Sequence, residues 1–483
     1  MTLVLKIKNN KKMQYIKQFV NLGLIIILTS CGSKTKKNVA EESSNLKPNV
    51  IVIIADDAGY IDFGFMGSKD LETPQLDKLA KNGVIFTDAH VSATVCAPSR
   101  AGLITGKYQQ RFGFEANGTG GVGLAYNILT IANAFKQNKY KTIALGKWHL
   151  GDSESDHPNK RGFDDFFGFI GGSRSYFPIE KPSKNRMLQH NGERVVFDGY
   201  LTDVLGDKSA SYVQEHQNEP FFMYLSYNAV HTPMQAKEEH LEKYKDHPRK
   251  KLAAMTWSLD ENIGKLVDKL EKTNQLKNTL IFFLSDNGGS PHNTSDNGAL
   301  KGWKGNKFEG GHRVPFVIHW SKEIKGNQTF DGLTSSLDIF TTSIAAADIN
   351  NNFDVDGTNL IPYLKGELKG NPHEKLFWRK LNESGVRVGD QKLVRLKGYG
   401  STYYNLKNDL GETTDLTNIN KSTSDLLHKE LETWETQLME PLWDEGGWMP
   451  VTFHIQQRLM QNKRPLYETP KSRKKYFESH PEK

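Results

Sequence analysis

NVIVIIADD, residues 49–57, decides the fold: an unbroken apolar run, mostly β-branched, ends in a pair of aspartates. So short a run without polar alternation reads as a strand buried on both faces, as in a parallel sheet. Three further runs have the same form. KTIAL (141–145) leads into Gly146-Lys147-Trp148-His149, FFMYLSY (221–227) leads towards His231, and TLIFFL (279–284) leads into Ser285-Asp286-Asn287-Gly288. Open α/β sheets bind ligands outside the carboxyl ends of their strands. All four ends carry acids, amides, lysines or histidines, so they point to a single site.

Helical segments separate these runs. Thr73 and Pro74 precede QLDKLAKNG as N-cap and first-turn proline, with Gly83 as a stop. Residues 252–270 place Met255, Leu259, Ile263, Leu266 and Leu270 on one stripe and lead into the 279–284 run. Such alternation builds an α/β/α sandwich around a mostly parallel sheet. Beyond residues 351–370 the pattern changes: HEKLFWRK, GVRVGDQKLVRL and STYYNLKNDLGE read as short antiparallel strands joined by polar turns. They imply a smaller C-terminal α+β domain, closing with a helix over 424–439. The expected division is a signal segment (1–30), a tether (31–46), an N-terminal domain (47–350), a C-terminal domain (351–455) and a tail (456–483) that is extended or partly disordered.

Lysines precede the apolar run 22–28, which is too short to span a bilayer. Leu28-Thr29-Ser30-Cys31 and a polar, Lys- and Ser-rich stretch follow. This is a secretory signal, and its ending resembles a bacterial lipobox, which implies a lipid-anchored Cys31. The expectation is an exported protein of the periplasm, outer membrane or cell surface; a cleaved signal with an incidental cysteine is the alternative. The formal net charge of +7 derives largely from leader lysines and the basic stretch 463–475. The remainder is nearly balanced and carries no aromatic-plus-basic motif, so nucleic acid is not an expected partner.

The chain has two cysteines. With Cys31 acylated, Cys96 is an unpaired thiol outside the reducing cytosol. It opens CAPSRAGLITG (96–106), where Pro98 suits the first turn of a helix. Backbone N–H groups at that end favour an anion, to which Arg100 adds a charged fork. Asp56-Asp57 and Asp286-Asn287, each at the end of a buried strand, supply an all-oxygen donor set. It suits Ca²⁺ or Mg²⁺ and suits zinc poorly. Ca²⁺ is preferred because it tolerates irregular geometry.

C-x-P-S-R followed by x-x-L-x-T-G resembles the signature of the type I, formylglycine-dependent sulfatases. The likeness extends over PNVIVIIADDAGY, GKWHLG, RGFDDFFGF, HTP, SDNGG, KGNKFEGGHRVP, DGTNLIPYLKG and YYNLKNDLGETTDL, in family order. It implies an alkaline-phosphatase-like fold with a small C-terminal sheet domain. It further implies oxidation of Cys96 to formylglycine (3-oxoalanine) by a maturing enzyme, which explains the solitary thiol. By the same likeness Asp56, Asp57, Asp286, Asn287 and residue 96 hold Ca²⁺, and Arg100 supports the formylglycine beside Lys147 and His149. His231 and Lys304 hold the sulfate and the leaving oxygen. In the implied chemistry the hydrated aldehyde attacks sulfur, and His231 or Lys304 protonates the departing alcohol. His149 then draws a proton from the second hydroxyl and sulfate leaves. His312, where many members carry an apolar or small residue, is left outside the catalytic set.

The implied substrate is a sulfated carbohydrate such as ulvan, a carrageenan or another algal glycan, with a host glycosaminoglycan also open. Arg174 and Tyr176 of GGSRSYFP (171–178) are candidates for contact with the sugar. Two other readings stay open: a phosphonate monoester or phosphate diester hydrolase of the same superfamily, and a glycan-binding lipoprotein without catalysis.

Overall fold

A computed structural model describes residues 47–118, 123–350 and 352–465; the leader, the tether with Cys31 and residues 466–483 lie outside the described residues. The four apolar runs are β1 (Asn49–Ala55), β2 (Lys141–Lys147), β3 (Phe221–Ser226) and β4 (Thr279–Ser285). Among the described residues they form the centre of a ten-stranded sheet, in the order β4-β1-β3-β2. β1 runs parallel to β3 and β4, and β3 parallel to β2. Antiparallel neighbours occur further out, such as Phe316–His319 beside β4.

Four helices show how the sheet is covered: α1 (Pro74–Lys81), α2 (Cys96–Thr105), α3 (Leu201–Glu215) and α4 (Lys250–Lys272). Alternate residues of β1 face opposite layers. Ile51 and Ile53 join the core with α1, α3 and α4, whereas Val50, Val52 and Ile54 join the core with α2. Fully burying each such side chain contributes about 1.5–3 kcal/mol, which is why an unbroken apolar run is stable here. α1 starts at Pro74 as expected, but the Thr73 hydroxyl does not cap it. The Asp260 carboxylate of α4 does so instead, accepting from the backbone N–H groups of Gln75 (3.0 Å) and Leu76 (2.8 Å).

The expected C-terminal strands are β5 (Lys375–Lys380), β6 (Glu383–Val388), β7 (Gln391–Leu396) and β8 (Gly400–Asn405), an antiparallel sheet in sequence order. On one face α5 (Lys421–Glu435) packs Leu427, Leu431 and Trp434 against Phe377, Val386, Leu393 and Tyr403. It ends four residues before the expected limit of 439. On the other face α6 (Met449–Met460) packs Val451, Ile455 and Leu459 against Val394, Leu396 and Tyr404. This corrects the reading of the tail as extended or partly disordered over residues 456–460, which are helical. Val451, Ile455 and Leu459 recur every four residues, so one helical face is apolar, and Gln456 is fully buried.

Candidate active site

Parallel register determines what meets at the strand ends. Ala55 pairs with Ser285, so Asp56 and Asp57 leave β1 in step with Asp286 and Asn287 leaving β4. Asp57 has a left-handed backbone (φ 63°), an unfavourable conformation for a side chain with a Cβ. The surroundings hold it there. The Asp57 carbonyl accepts from Asn293 (3.0 Å) and Ser295 (2.9 Å), and its N–H donates to Asp286 Oδ1 at 3.2 Å.

Cys96 is the first residue of α2 and is buried against this cluster. Its Sγ lies 3.6 Å from Asp56 Oδ1 and 3.9 Å from Asp57 Oδ1 and accepts from Lys304 Nζ at 3.1 Å. Arg100, one turn on, donates through Nε to Asp286 Oδ2 at 2.9 Å and through Nη1 to the Ser226 hydroxyl at the end of β3. Lys147 Nζ lies 2.7 Å from Asp56 Oδ2, and Lys304 Nζ lies 2.7 Å from Asp57 Oδ1. His231 Nε2 comes within 3.6 Å of Asp57 Oδ2. The structure thus brings together Asp56, Asp57, Cys96, Arg100, Lys147, His231, Asp286, Asn287 and Lys304, drawn from six separate stretches of sequence.

The charges are finely opposed. Burial works against ionisation of Asp56 and Asp57, but for Asp56 Lys147 leads, and for Asp57 Lys304 leads, the cations that hold the carboxyl below the usual range. Asp286 is raised, by burial and by the charge of Asp56, with Arg100 opposing. Burial pushes the Cys96 thiol up to about 12 against the pull of Lys147 and Lys304.

Asn287 donates its amide to Asp57 Oδ1 (2.8 Å), while its own Oδ1 is buried without a hydrogen-bond partner. An orphaned buried oxygen is costly. Together with three converging carboxylates it makes a hard donor set, so Asp56, Asp57, Asp286 and Asn287 fit a divalent cation. Ligand atoms of Asp56, Asp57, Cys96 and His231 also lie within 4.8 Å of one another.

His149 stands at the end of the strand that carries Lys147, also with a left-handed backbone (φ 59°). Burial, then the charges of Lys147 and Arg100, hold it well below the ordinary imidazole range, so it is neutral. Its Nδ1 has no hydrogen-bond partner, and with Ala97, Gly171 and Gly172 it lines a pocket of about 220 Å³.

The two sugar-contact candidates are corrected. Tyr176 is fully buried, and its hydroxyl hydrogen-bonds the backbone carbonyls of Asn228 and, at 2.8 Å, His231. Arg174 is 3% exposed, with its guanidinium over the rings of Phe169 and Phe197. Their aromatic neighbours draw this loop inward, so Tyr176 props the segment that carries His231 and touches no open cleft. Sequence reasoning missed Ser226 and Asn117, which respectively accept from Arg100 and from the Ala97 N–H (3.0 Å). Ser226 sits at the end of an apolar run and was open to discovery there; Asn117 carries no sequence signal.

His312 also receives an explanation. Its ring stacks on Trp378, with centroids 3.9 Å apart. Its Nδ1 meets His90 Nδ1 at 2.9 Å, and its Nε2 meets Lys392 Nζ at 3.1 Å. The other His90 nitrogen meets Asp88 at 2.9 Å. Both rings are fully engaged in fastening the Glu309–His312 turn to the C-terminal sheet.

Gly288 follows Asn287 directly, and a Cβ there would lie 1.8 Å from the Gly310 carbonyl oxygen. Both sides of that contact are backbone. Gly288→Ala is therefore expected to cost at least about 1–3 kcal/mol, the range for overpacking, and to displace Asn287. A lowered unfolding midpoint together with reduced turnover is the expected result; unchanged values for both would contradict this packing.

A protein-family model described as Sulfatase matches residues 48–349. The chain is 31% identical over 410 residues to the uncharacterized sulfatase YdeN of Escherichia coli (strain K12), covering 71% of this chain and 72% of that protein. It is 28% identical over 447 residues to the N-acetylgalactosamine-6-sulfatase of Mus musculus, covering 84% and 82%. Among solved structures, Ps i-CgsB is 36% identical with a TM-score of 0.78, covering 85% of this chain and 98% of that one. That protein has also been solved in complex with k-i-k-neocarrahexaose.

Proposed function

The chain belongs to the sulfatase family and is a sulfuric ester hydrolase; from that premise we propose that it desulfates an algal glycan of the carrageenan type. The observation that carries this choice over ulvan is the likeness to Ps i-CgsB, 36% identical over 85% of this chain, whose complex contains a neocarrahexaose. Residue 96 acts as formylglycine, which supplies a hydrated aldehyde as nucleophile in place of a thiol. Asp56, Asp57, Asp286 and Asn287 hold Ca²⁺, which supplies positive charge against the sulfate oxygens.

The chain's own residues do the rest. Lys147 and Lys304, each 2.7 Å from a cluster aspartate, are cations held at the cluster that contains residue 96 and offset the charge of an arriving sulfate. Residue 96 is the first residue of α2, so the positive end of the helix dipole lies beside it. Arg100, held between Asp286 and Ser226, fixes the orientation of α2. His231 and Lys304 border the open cleft and hand a proton to the alcohol oxygen as it departs. His149, half-buried and neutral, accepts the proton whose removal releases sulfate. Export, the lipid anchor at Cys31 and maturation by a formylglycine-generating enzyme belong to the same proposal.

Sulfate release from carrageenan, ulvan and glycosaminoglycan oligosaccharides tests it. Carrageenan oligosaccharides are expected to give the fastest release. Chelation is expected to abolish it, with recovery on adding Ca²⁺. Faster release from ulvan or a glycosaminoglycan would overturn the substrate choice.

A further inference from the structure

Beside the catalytic cluster lies a cleft of about 550 Å³, within the range of small-molecule sites. One wall comes from the α/β domain and includes Asp57, His231, Trp303 and Lys304. The opposite wall comes from the C-terminal segment and includes Lys380, Glu445 and Trp448. His231 and Lys304 border this cleft, so under the proposed function it is the side toward which the alcohol departs.

The C-terminal wall has two properties that suit a sugar. Trp448 is 42% exposed, a large apolar surface left open at the cleft instead of being buried with the neighbouring core residues Val451 and Ile455. Close by, Lys380 Nζ and Glu445 Oε2 form an ion pair at 2.9 Å, with side chains 3% and 9% exposed. An indole offers a flat apolar face for the C–H face of a pyranose, and such rings gather where one side is apolar and the other wet. The ion pair offers a carboxylate acceptor and ammonium donors to ring hydroxyls.

We propose that the Trp448 indole, with the Lys380–Glu445 pair beside it, is the specificity-determining surface that receives the sugar ring of the substrate. This rests on the sulfated-glycan reading above and adds to it the surface that selects the sugar. Within the cleft the ring stacks on Trp448 while its hydroxyls meet Lys380 and Glu445, and the sulfate reaches past Lys304 to residue 96. None of these three residues touches the sulfur.

The test measures two quantities on the full chain: KM and kcat for the preferred sulfated oligosaccharide, and the inhibition constant of inorganic sulfate, which occupies the sulfate pocket alone. Trp448→Ala is expected to raise KM about tenfold, the loss of one aromatic contact, and to leave the sulfate inhibition constant within about twofold. Trp448→Phe, which keeps a flat ring, is expected to recover most of the KM. An unchanged KM in Trp448→Ala would show that the indole does not meet the sugar, and a parallel rise in both constants would assign it to the sulfate pocket; either result overturns the proposal. A wild type inactive on every sulfated glycan yet active on an aryl sulfate would overturn the glycan reading and this inference with it. Activity of the wild type on the glycan with no KM change in the variant would overturn this inference alone.

Discussion

Cys96→Ser is expected to release one equivalent of alcohol per enzyme and then stop. The serine hydroxyl would occupy the place of Sγ, with Lys304 3.1 Å away and the cluster carboxylates next to it. There it can attack sulfur, forming an Oγ–S bond as the S–O bond to the alcohol breaks; the serine's proton passes to a neighbouring cluster carboxylate, and His231 or Lys304 supplies the alcohol's proton. The resulting serine sulfate has no second hydroxyl on the same carbon, so removal of a proton cannot expel sulfate. Steady-state turnover is expected to fall by at least about 10³-fold, the scale of losing a covalent nucleophile's full cycle. Mass analysis of the residue-96 peptide is expected to show retained sulfate. Continued turnover at the wild-type rate would remove residue 96 from the mechanism.

The second large effect is on stability. Lys392 Nζ lies 2.9 Å from Glu309 Oε1 and 2.9 Å from Glu412 Oε1, and all three side chains are fully buried. It also meets His312 Nε2 at 3.1 Å. Lys392→Met retains much of the side-chain volume but leaves the buried Glu412 carboxyl without its cation and takes one of three from Glu309. Breaking a buried pair by removing one partner costs about 3–5 kcal/mol, and here the loss falls on Glu412, because Glu309 keeps Arg313 at 3.3 Å and Arg387 at 3.6 Å. Denaturant unfolding is expected to show that loss. Lys392→Met with Glu412→Gln is expected to recover part of it, since the stranded charge is gone. A single variant as stable as the wild type would mean that the cluster contributes nothing net.

The central strands and the residues at their ends are legible in the sequence, because a short unbroken β-branched run admits few structures besides a doubly buried strand. Parallel register then aligns the ends automatically, so Asp56-Asp57 and Asp286-Asn287 meet once Ala55 faces Ser285. Loops yield less. The order of GGSRSYFP says nothing about which side chains turn inward, and Arg174 and Tyr176 turn inward because Phe169, Phe197 and Tyr200 await them. α6 has a readable apolar spacing, yet it is only 12 residues long and sits in a polar stretch, where its partners Val394 and Tyr404 are far away in sequence. The cluster around His312 is the least legible feature. It joins Asp88 and His90, Glu309 and His312, Arg387 and Lys392, and Glu412, residues whose charges have meaning only once the two sheets are side by side.

The most direct test of residue 96 as the reacting centre compares preparations expressed with and without a sulfatase-maturing enzyme. For each, the aldehyde fraction at residue 96 is read by mass, and sulfate release is measured on the same material. Release in proportion to the aldehyde fraction, falling to zero with the unconverted thiol, is the predicted result. Equal release from fully thiol-bearing and converted protein would contradict it.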